Sequence, residues 1–391
     1  MEQYVVLREA SEKTSSKVTR SVASATLGLG CNQASAKIEV ENVPNYAVRD
    51  LLSDPDVKSA TPVMAISLIA PLSRVTKHNG DAWGVKAIGA DTSSYTGDGV
   101  TVAVLDTGID KTHPAFAGMS LNIKDFSGDG EQDANGHGTH CAGTIFGRDV
   151  QGIRVGVARG IRSALIGKVL KDDGSGTSEM IYQALHWALM GGANVISMSL
   201  GLDFPGEVNK KVKAGWPVDL ATSQTLEAYR GNLRMFDALM GVFKAQNAFG
   251  TSPVVVSAAG NESRRNINAS YKIATSVPGA ADEVISVAAA YQSRGIYGIA
   301  DFSNSNAKIS APGVDVLSAW PGGELRSLDG TSMACPHVAG AAALWWEYAR
   351  KMNKPSISTE VTSQLFATAR QSFESRFDSG DFGCGIVTTP Q

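Results

Sequence analysis

Charge of either sign is scarce in this chain. Only 19% of its 391 residues are Asp, Glu, Lys or Arg, and the formal net charge is −3. With no basic excess, and no Lys/Arg run interleaved with aromatics, nothing recommends a nucleic-acid partner. Cysteine is also sparse, at Cys31, Cys141, Cys335 and Cys384. Four over this length make no disulfide framework, so an apolar core must hold the fold. Uninterrupted apolar runs stay well short of 18 residues, which argues against a membrane span. Nor does Met1-Glu2-Gln3-Tyr4-Val5 open a signal peptide, because no basic segment precedes an apolar one. That start implies a cytoplasmic protein, export by a route without such a signal, or a sequence given without its natural beginning. What is plentiful is apolar residues, at 43%, and glycine, at 41 positions. The first supplies core for two or so folding units. The second allows the tight turns and close backbone approaches that a substrate groove requires.

Three segments carry chemistry. Gly330-Thr331-Ser332-Met333-Ala334-Cys335-Pro336-His337 places a serine at a glycine-led turn opening a helix that runs to about Arg350. A serine there has a helix-terminal N–H beside its hydroxyl, the pair that acyl transfer uses; it also fits a simple helix cap. Thr101-Val102-Ala103-Val104-Leu105-Asp106-Thr107-Gly108 reads as a buried parallel strand ending in a carboxylate, which could equally form a turn. Asn135-Gly136-His137-Gly138-Thr139-His140-Cys141 sets a histidine between glycines at a helix start, where a merely packed histidine is the alternative. Taken together they offer a nucleophile, a base and a carboxylate to orient the base.

In the order Asp106, His137, Ser332, with Ala258-Ala259-Gly260-Asn261-Glu262 as a fourth motif, the chain resembles the subtilases, the subtilisin-like serine peptidases. The spacings are 31 residues from Asp106 to His137, 124 to Asn261 and 71 to Ser332. The resemblance implies that Ser332 attacks a peptide carbonyl, His137 shuttles the proton and Asp106 orients His137. Asn261 and the Ser332 N–H would hold the oxyanion. It implies protein or peptide substrates and no required cofactor. Ser199-Leu200-Gly201 would form an edge to which substrate backbone adds as a strand. Ala258-Ala259-Gly260 would wall the pocket for the residue before the cut, with room for a medium or large apolar side chain. A serine esterase and a catalytically silent binding relative are the alternatives; the first usually carries a G-x-S-x-G elbow, whose second glycine is missing here.

Fold expectations follow. Val100–Thr107, Ala164–Leu170, Ala193–Leu200, Pro253–Ala259 and Val284–Ala289 read as strands; Ser178–Met190, capped by Ser178, and Ala221–Asn247 read as helices. This alternation predicts an α/β fold, a doubly wound parallel sheet with helices on both faces, over residues 76–391. Residues 1–75 predict a small α+β layer: strands at Tyr4–Arg8 and Lys37–Val43, helical stretches around 12–28 and 45–53, and a last strand within Val63–Ile69. This layer resembles the inhibitory propeptide of many subtilases, which implies an intramolecular inhibitor cut between Leu68 and Lys77; a permanent accessory domain is the alternative. The segment from Leu202 to Phe249 is longer than this family usually carries and could be a lid, an exosite or a decorated loop.

Metal expectations are weak. His137 and His140 form an H-x-x-H pair without the further ligands that zinc needs. Ala115 stands where calcium-binding relatives often have a carboxylate, and the loop after Cys141-Ala142-Gly143 is short. Calcium remains possible, at Asp125–Asp133 if anywhere, but no metal ligand is assigned. His113 and His337 are expected to pack structurally. Cys141 and Cys335 are expected under the active site as buried free thiols, although they could pack close together.

Overall fold

The computed structural model describes residues 2–9, 36–72, 82–250, 252–355 and 357–391. The N-terminal layer contains β1 (Glu2–Glu9), β2 (Ala36–Val43), helix α1 (Val48–Ser53) and β3 (Val57–Pro62), with the strands in the antiparallel order β2-β1-β3. β1 shows the two-residue period of a strand packed on both faces. Tyr4 and Val6 join Val43 and the α1 residues Val48 and Leu51 in a small core of their own. Val5 and Leu7 point the other way, into a core shared with Leu185, Phe236 and Met240 of the larger unit.

One expectation changes here. The place predicted for a strand within Val63–Ile69 is taken by β3, whose polar Lys58 and Ser59 hide it from a reading based on apolar runs. The apolar stretch beyond it instead leaves the layer as a separate strand, β4 (Ala65–Leu68). The helical stretch expected around 12–28 lies outside the described residues, as does Cys31.

A short helix, α2 (Trp83–Ala87), leads into the larger unit. Along the chain come β5 (Thr101–Asp106), β6 (Ser120–Asp125), α3 (His137–Phe146), β7 (Ser163–Lys168), β8 (Ser175–Thr177) and α4 (Ser178–Met190). There follow β9 (Val195–Met198), β10 (Leu200–Leu202), α5 (Phe204–Lys213), α6 (Val218–Ala245), β11 (Val254–Ala258) and β12 (Val284–Ser293). Then come β13 (Ile296–Ile299), β14 (Ile309–Pro312), β15 (Val316–Trp320), β16 (Glu324–Leu328) and α7 (Thr331–Lys351), followed by the shorter helices α8 (Ser358–Ala367) and α9 (Ser379–Phe382). The main sheet has the order β13-β12-β11-β9-β5-β7-β6, with β14 also on β12. Only the β12–β13 pairing is antiparallel within it. This is the expected doubly wound fold, and its central strands are near-continuous apolar runs because both faces are covered.

One face of the sheet packs on α3 and α7, the other on α4 and α6. α7 is apolar on every side, with Met333 to Leu344 all buried, as suits a helix that threads a core. α4 begins at Ser178 as predicted, but Ser178 does not cap it. Thr177 is the N-cap, and Ser178 Oγ accepts the Met64 N–H at 3.0 Å, tying α4 to the chain just before β4. The long helix predicted at Ala221–Asn247 starts earlier, as α6, and is preceded by the separate α5. Among the described residues no helix is long and apolar enough to cross a membrane.

Candidate active site

Asp106 is the last residue of β5 and His137 the first of α3, so a strand's carboxyl end faces a helix start. His137 Nδ1 lies 2.7 Å from Asp106 Oδ1, and that oxygen also accepts the Thr107 N–H at 2.7 Å. Both side chains are buried. Asp133, a residue the motif reading did not single out, holds the two elements in register. Its Oδ1 accepts Thr107 Oγ1–H and Gly136 N–H, each at 2.8 Å. Its Oδ2 accepts the N–H and hydroxyl of Thr139 at 2.8 and 2.6 Å. A carboxylate just ahead of a glycine-led helix is a capping pattern, and that signal could have found it. The approach is close: a Cβ on Gly138 would stand 2.2 Å from the Gly108 carbonyl oxygen, so a side chain there would force the elements apart.

Ser332 sits in the first turn of α7, and Pro336 explains how that turn is anchored. Proline has no N–H, so the carbonyl four residues earlier, that of Ser332, loses its helical partner. It accepts instead the Ser199 hydroxyl at 3.1 Å and the Cys141 thiol at 3.4 Å. The helix start is thereby fastened to the β9–β10 junction and to α3. Asn261 is oriented just as specifically. Its Oδ1 accepts Thr331 N–H and Thr331 Oγ1–H, both at 2.9 Å, which turns Nδ2 outward. Thr331 Oγ1 also accepts the Gly260 N–H at 3.1 Å.

The cleft beside these groups holds the chain's own β4. It pairs antiparallel with β10 on one side, Leu68 opposite Leu200 and Ser67 opposite Gly201, and with β8 on the other. Leu68 N–H donates to the Gly174 carbonyl at 2.8 Å, and farther on Leu72 pairs with Asp329. Between these anchors the strand crosses Ser332. Ser332 Oγ donates to the Ile69 carbonyl at 3.0 Å, and Asn261 Nδ2 donates to the next carbonyl, Ala70 O, also at 3.0 Å. With its hydroxyl engaged there, Ser332 makes no hydrogen bond to His137, whose buried Nε2 has no partner among the described residues.

Of the expected edge Ser199-Leu200-Gly201, Leu200 and Gly201 pair with the extended strand together with Leu202, whereas Ser199 lies outside that pairing and donates its hydroxyl to the Ser332 carbonyl. The expected pocket wall differs. The groove beside Ile69 is lined by Gly201, Asn261, Ala274 and Ser276, whereas Ala258, Ala259 and Gly260 are buried and not in its lining. The physical reason is that the Ala259 carbonyl accepts from Ser276 N–H and Asn304 Nδ2, so the 274–276 segment covers this turn.

Three further histidines are committed to backbone. His113 Nδ1 accepts the Ala115 N–H, His140 Nε2 lies 3.1 and 3.0 Å from the carbonyls of Val316 and Arg326, and His337 Nδ1 lies 2.8 Å from the Met333 carbonyl. The His140 Nε2 is thus engaged by backbone, while its buried Nδ1 has no partner among the described residues. Burial, helped by the neighbouring His137, lowers the His140 pKa to about 3, and burial lowers that of His337 to about 4. Both stay neutral in the fold while the unfolded chain takes up protons below about pH 6.5. The unfolded state then binds more protons, so stability falls as pH drops from there toward 4. Each histidine contributes up to about 1.4 kcal/mol per pH unit. Melting temperatures measured from pH 7.5 to 5 should fall, and His337→Gln should make the fall shallower; an unchanged slope would reject this role.

The thiols are shielded. Burial, then the Asp106 charge, pushes the Cys141 pKa well up, and burial raises Cys335 to about 11. Cys141, Cys335 and Cys384 are free. In the Asp125–Asp133 loop, Asp125 accepts N–H groups from Ser127, Gly128 and Gly130, so this carboxylate, like Asp133, already faces protein donors.

A serine at a helix start, a carboxylate–imidazole pair and an outward amide, gathered at the carboxyl ends of parallel strands, is the arrangement of a serine-nucleophile hydrolase. The chain belongs to the subtilase family, which it matches over residues 97–385. It is 33% identical over 312 residues to the subtilisin-like serine protease Pen ch 13 of Penicillium rubens, the match covering 76% of this chain and 66% of that protein. It is 36% identical over 298 residues to the major intracellular serine protease of Bacillus subtilis (strain 168), covering 72% and 80%. With the intracellular serine protease of Paenibacillus polymyxa the identity is 38% over 261 residues, covering 63% and 67%. The match thus spans just under two thirds of the length of the fungal relative.

Proposed function

We propose that this chain is a serine endopeptidase and that its N-terminal layer, together with the β4 strand that follows it, is its intramolecular inhibitor. The observation that carries the reading is the extended peptide held between β8 and β10 with successive carbonyls at Ser332 Oγ and Asn261 Nδ2. Main-chain pairing on both sides favours a peptide over a simple ester as substrate. In the reaction, Ser332 Oγ adds to the carbonyl carbon while His137 Nε2 takes its proton. Asn261 Nδ2 and the Ser332 N–H hold the oxyanion. Breakdown expels the amine, protonated by His137, and leaves an acyl-serine that water hydrolyses by the same proton route. Asp106 stabilises the imidazolium throughout. No step uses a metal or an organic cofactor.

β4 is bound but poorly presented. Attack requires one carbonyl to meet both the hydroxyl and the oxyanion donors, and here these contacts are split between Ile69 and Ala70. Pro71 adds to this, since it restricts Ala70 to extended conformations and makes the Ala70–Pro71 bond a tertiary amide. Processing within Leu68–Lys77 is therefore slow and falls at Ile69–Ala70. Active enzyme sequenced from its N-terminus should begin at Ala70, whereas a start at Met1 would refute processing.

Fluorophosphonate labelling, followed by hydrolysis of casein and of a short-chain ester, tests the activity itself. Failure to label favours a binding module, and ester-only turnover favours an esterase. Asn261→Ala should lower kcat by roughly 10²–10³ with little change in KM, the size of effect known for this family's oxyanion asparagine; an unchanged kcat would remove Asn261 from the mechanism. The bacterial relatives are named as intracellular, and free thiols suit a reducing compartment, so we place this chain in the cytoplasm.

A further inference from the structure

The segment between β10 and β11 carries two helices, α5 and α6, and it reaches the substrate cleft. Ser67 and Ile69, alternate residues on one side of the bound strand, both line a groove of about 750 Å³. Ile69 is buried against it, while Ser67 offers only a hydroxymethyl group. β10 runs antiparallel to β4, so the chain beyond Gly201 heads for the upstream end of the strand, and α5 begins two residues past Leu202, the partner of Ile66, nearer to Ser67 than to Ile69. There Phe204 and Tyr229 stack edge to face with centroids 5.8 Å apart. Tyr229 Oη accepts the Val277 N–H at 3.2 Å, which fixes this wall to the loop beneath. Leu226, Tyr271 and Ile273 complete the rim while 44%, 54% and 48% exposed, an apolar surface that β4 leaves uncovered.

We propose that α5 and α6 form a recognition site for a bulky apolar or aromatic substrate side chain at the position aligned with Ser67, two residues ahead of Ile69. The proposal rests on the peptidase reading above. The full-length chain tests it through its own strand. Ser67→Phe should occupy the groove, slowing fluorophosphonate labelling of Ser332 about tenfold or more and raising the melting temperature by about 2 °C. In Ser67→Phe/Leu226→Ser both changes should shrink to within twofold of the Leu226→Ser rate and about 0.5 °C. Labelling of Ser67→Phe at the wild-type rate or faster, or slowed equally with Leu226→Ser, overturns the groove. If no form labels but the melting shift appears and depends on Leu226, the groove stands and the peptidase reading falls. If neither labelling nor the shift occurs, both fall.

Discussion

Ser332→Ala is expected to lower kcat on a peptide substrate by about 10⁶ while leaving the fold intact. That factor is the one already known for triad serines in subtilisins; the geometry here says why it should transfer. Among the described residues the Ser332 hydroxyl donates to the Ile69 carbonyl, a contact with the strand in the cleft rather than within α7. The backbone at this position is held by other means: Ser199 and Cys141 bind the Ser332 carbonyl, and Thr331 binds Asn261. Removing the hydroxyl therefore takes away the attacking atom and leaves the oxyanion donors in place. The variant should remain a chain of 391 residues after prolonged incubation, because the self-processing proposed above would use the same hydroxyl. Turnover within tenfold of the parent, or processing of the variant at Ile69–Ala70 with no other peptidase present, would remove Ser332 from its role.

The chemical positions were legible because each lies in a short glycine-bounded segment at the end of a regular element. Val102 to Leu105 announce a buried strand, so Asp106 had to emerge at its carboxyl end, and the helix from Thr331 had to present Ser332 at its start. What was not legible depends on partners far away in sequence. Ser178 looked like a cap, yet its hydroxyl serves Met64, 114 residues away. Asn232 in α6 reads as a polar blemish on an apolar helix; it is fully buried and donates to Thr61 Oγ1 and the Pro62 carbonyl, fastening the N-terminal layer to the larger unit. β6 escaped because its burial alternates between exposed and half-buried positions, which suits an edge strand and leaves no apolar run. Pro336 was visible as a helix-interior proline, but only the fold reveals which side chains take over the carbonyl it releases. The same limit applies to the β10–β11 segment: its helical period can be read from the sequence, whereas the groove it walls exists only once β4 lies beside it.

Asp106→Asn should lower kcat by about 10³, less than the full loss seen when a triad imidazole is forced into the wrong tautomer, about 10⁴. The difference follows from one oxygen. Asp106 Oδ1 accepts both the His137 Nδ1–H and the Thr107 N–H, each at 2.7 Å. An asparagine that places its carbonyl oxygen there keeps both bonds, while the flipped amide would aim an N–H at the Thr107 N–H. The unflipped form is therefore preferred, His137 keeps its proton on Nδ1, and Nε2 stays free to accept from Ser332. What disappears is the negative charge that faces the imidazolium. For unit charges about 4 Å apart in a partly screened site that interaction is about 4 kcal/mol, equivalent to roughly 10³ in rate. Asp106→Ala, which abandons the orientation as well, should cost more. Comparing kcat for the two variants, together with the Nδ1-bound proton resonance of His137 in Asp106→Asn, separates charge from orientation. A retained resonance with a loss near 10³ supports the shared-oxygen account. Equal losses in both variants, with the resonance absent, would show that Thr107 does not hold the amide and that the tautomer, not the charge, sets the rate.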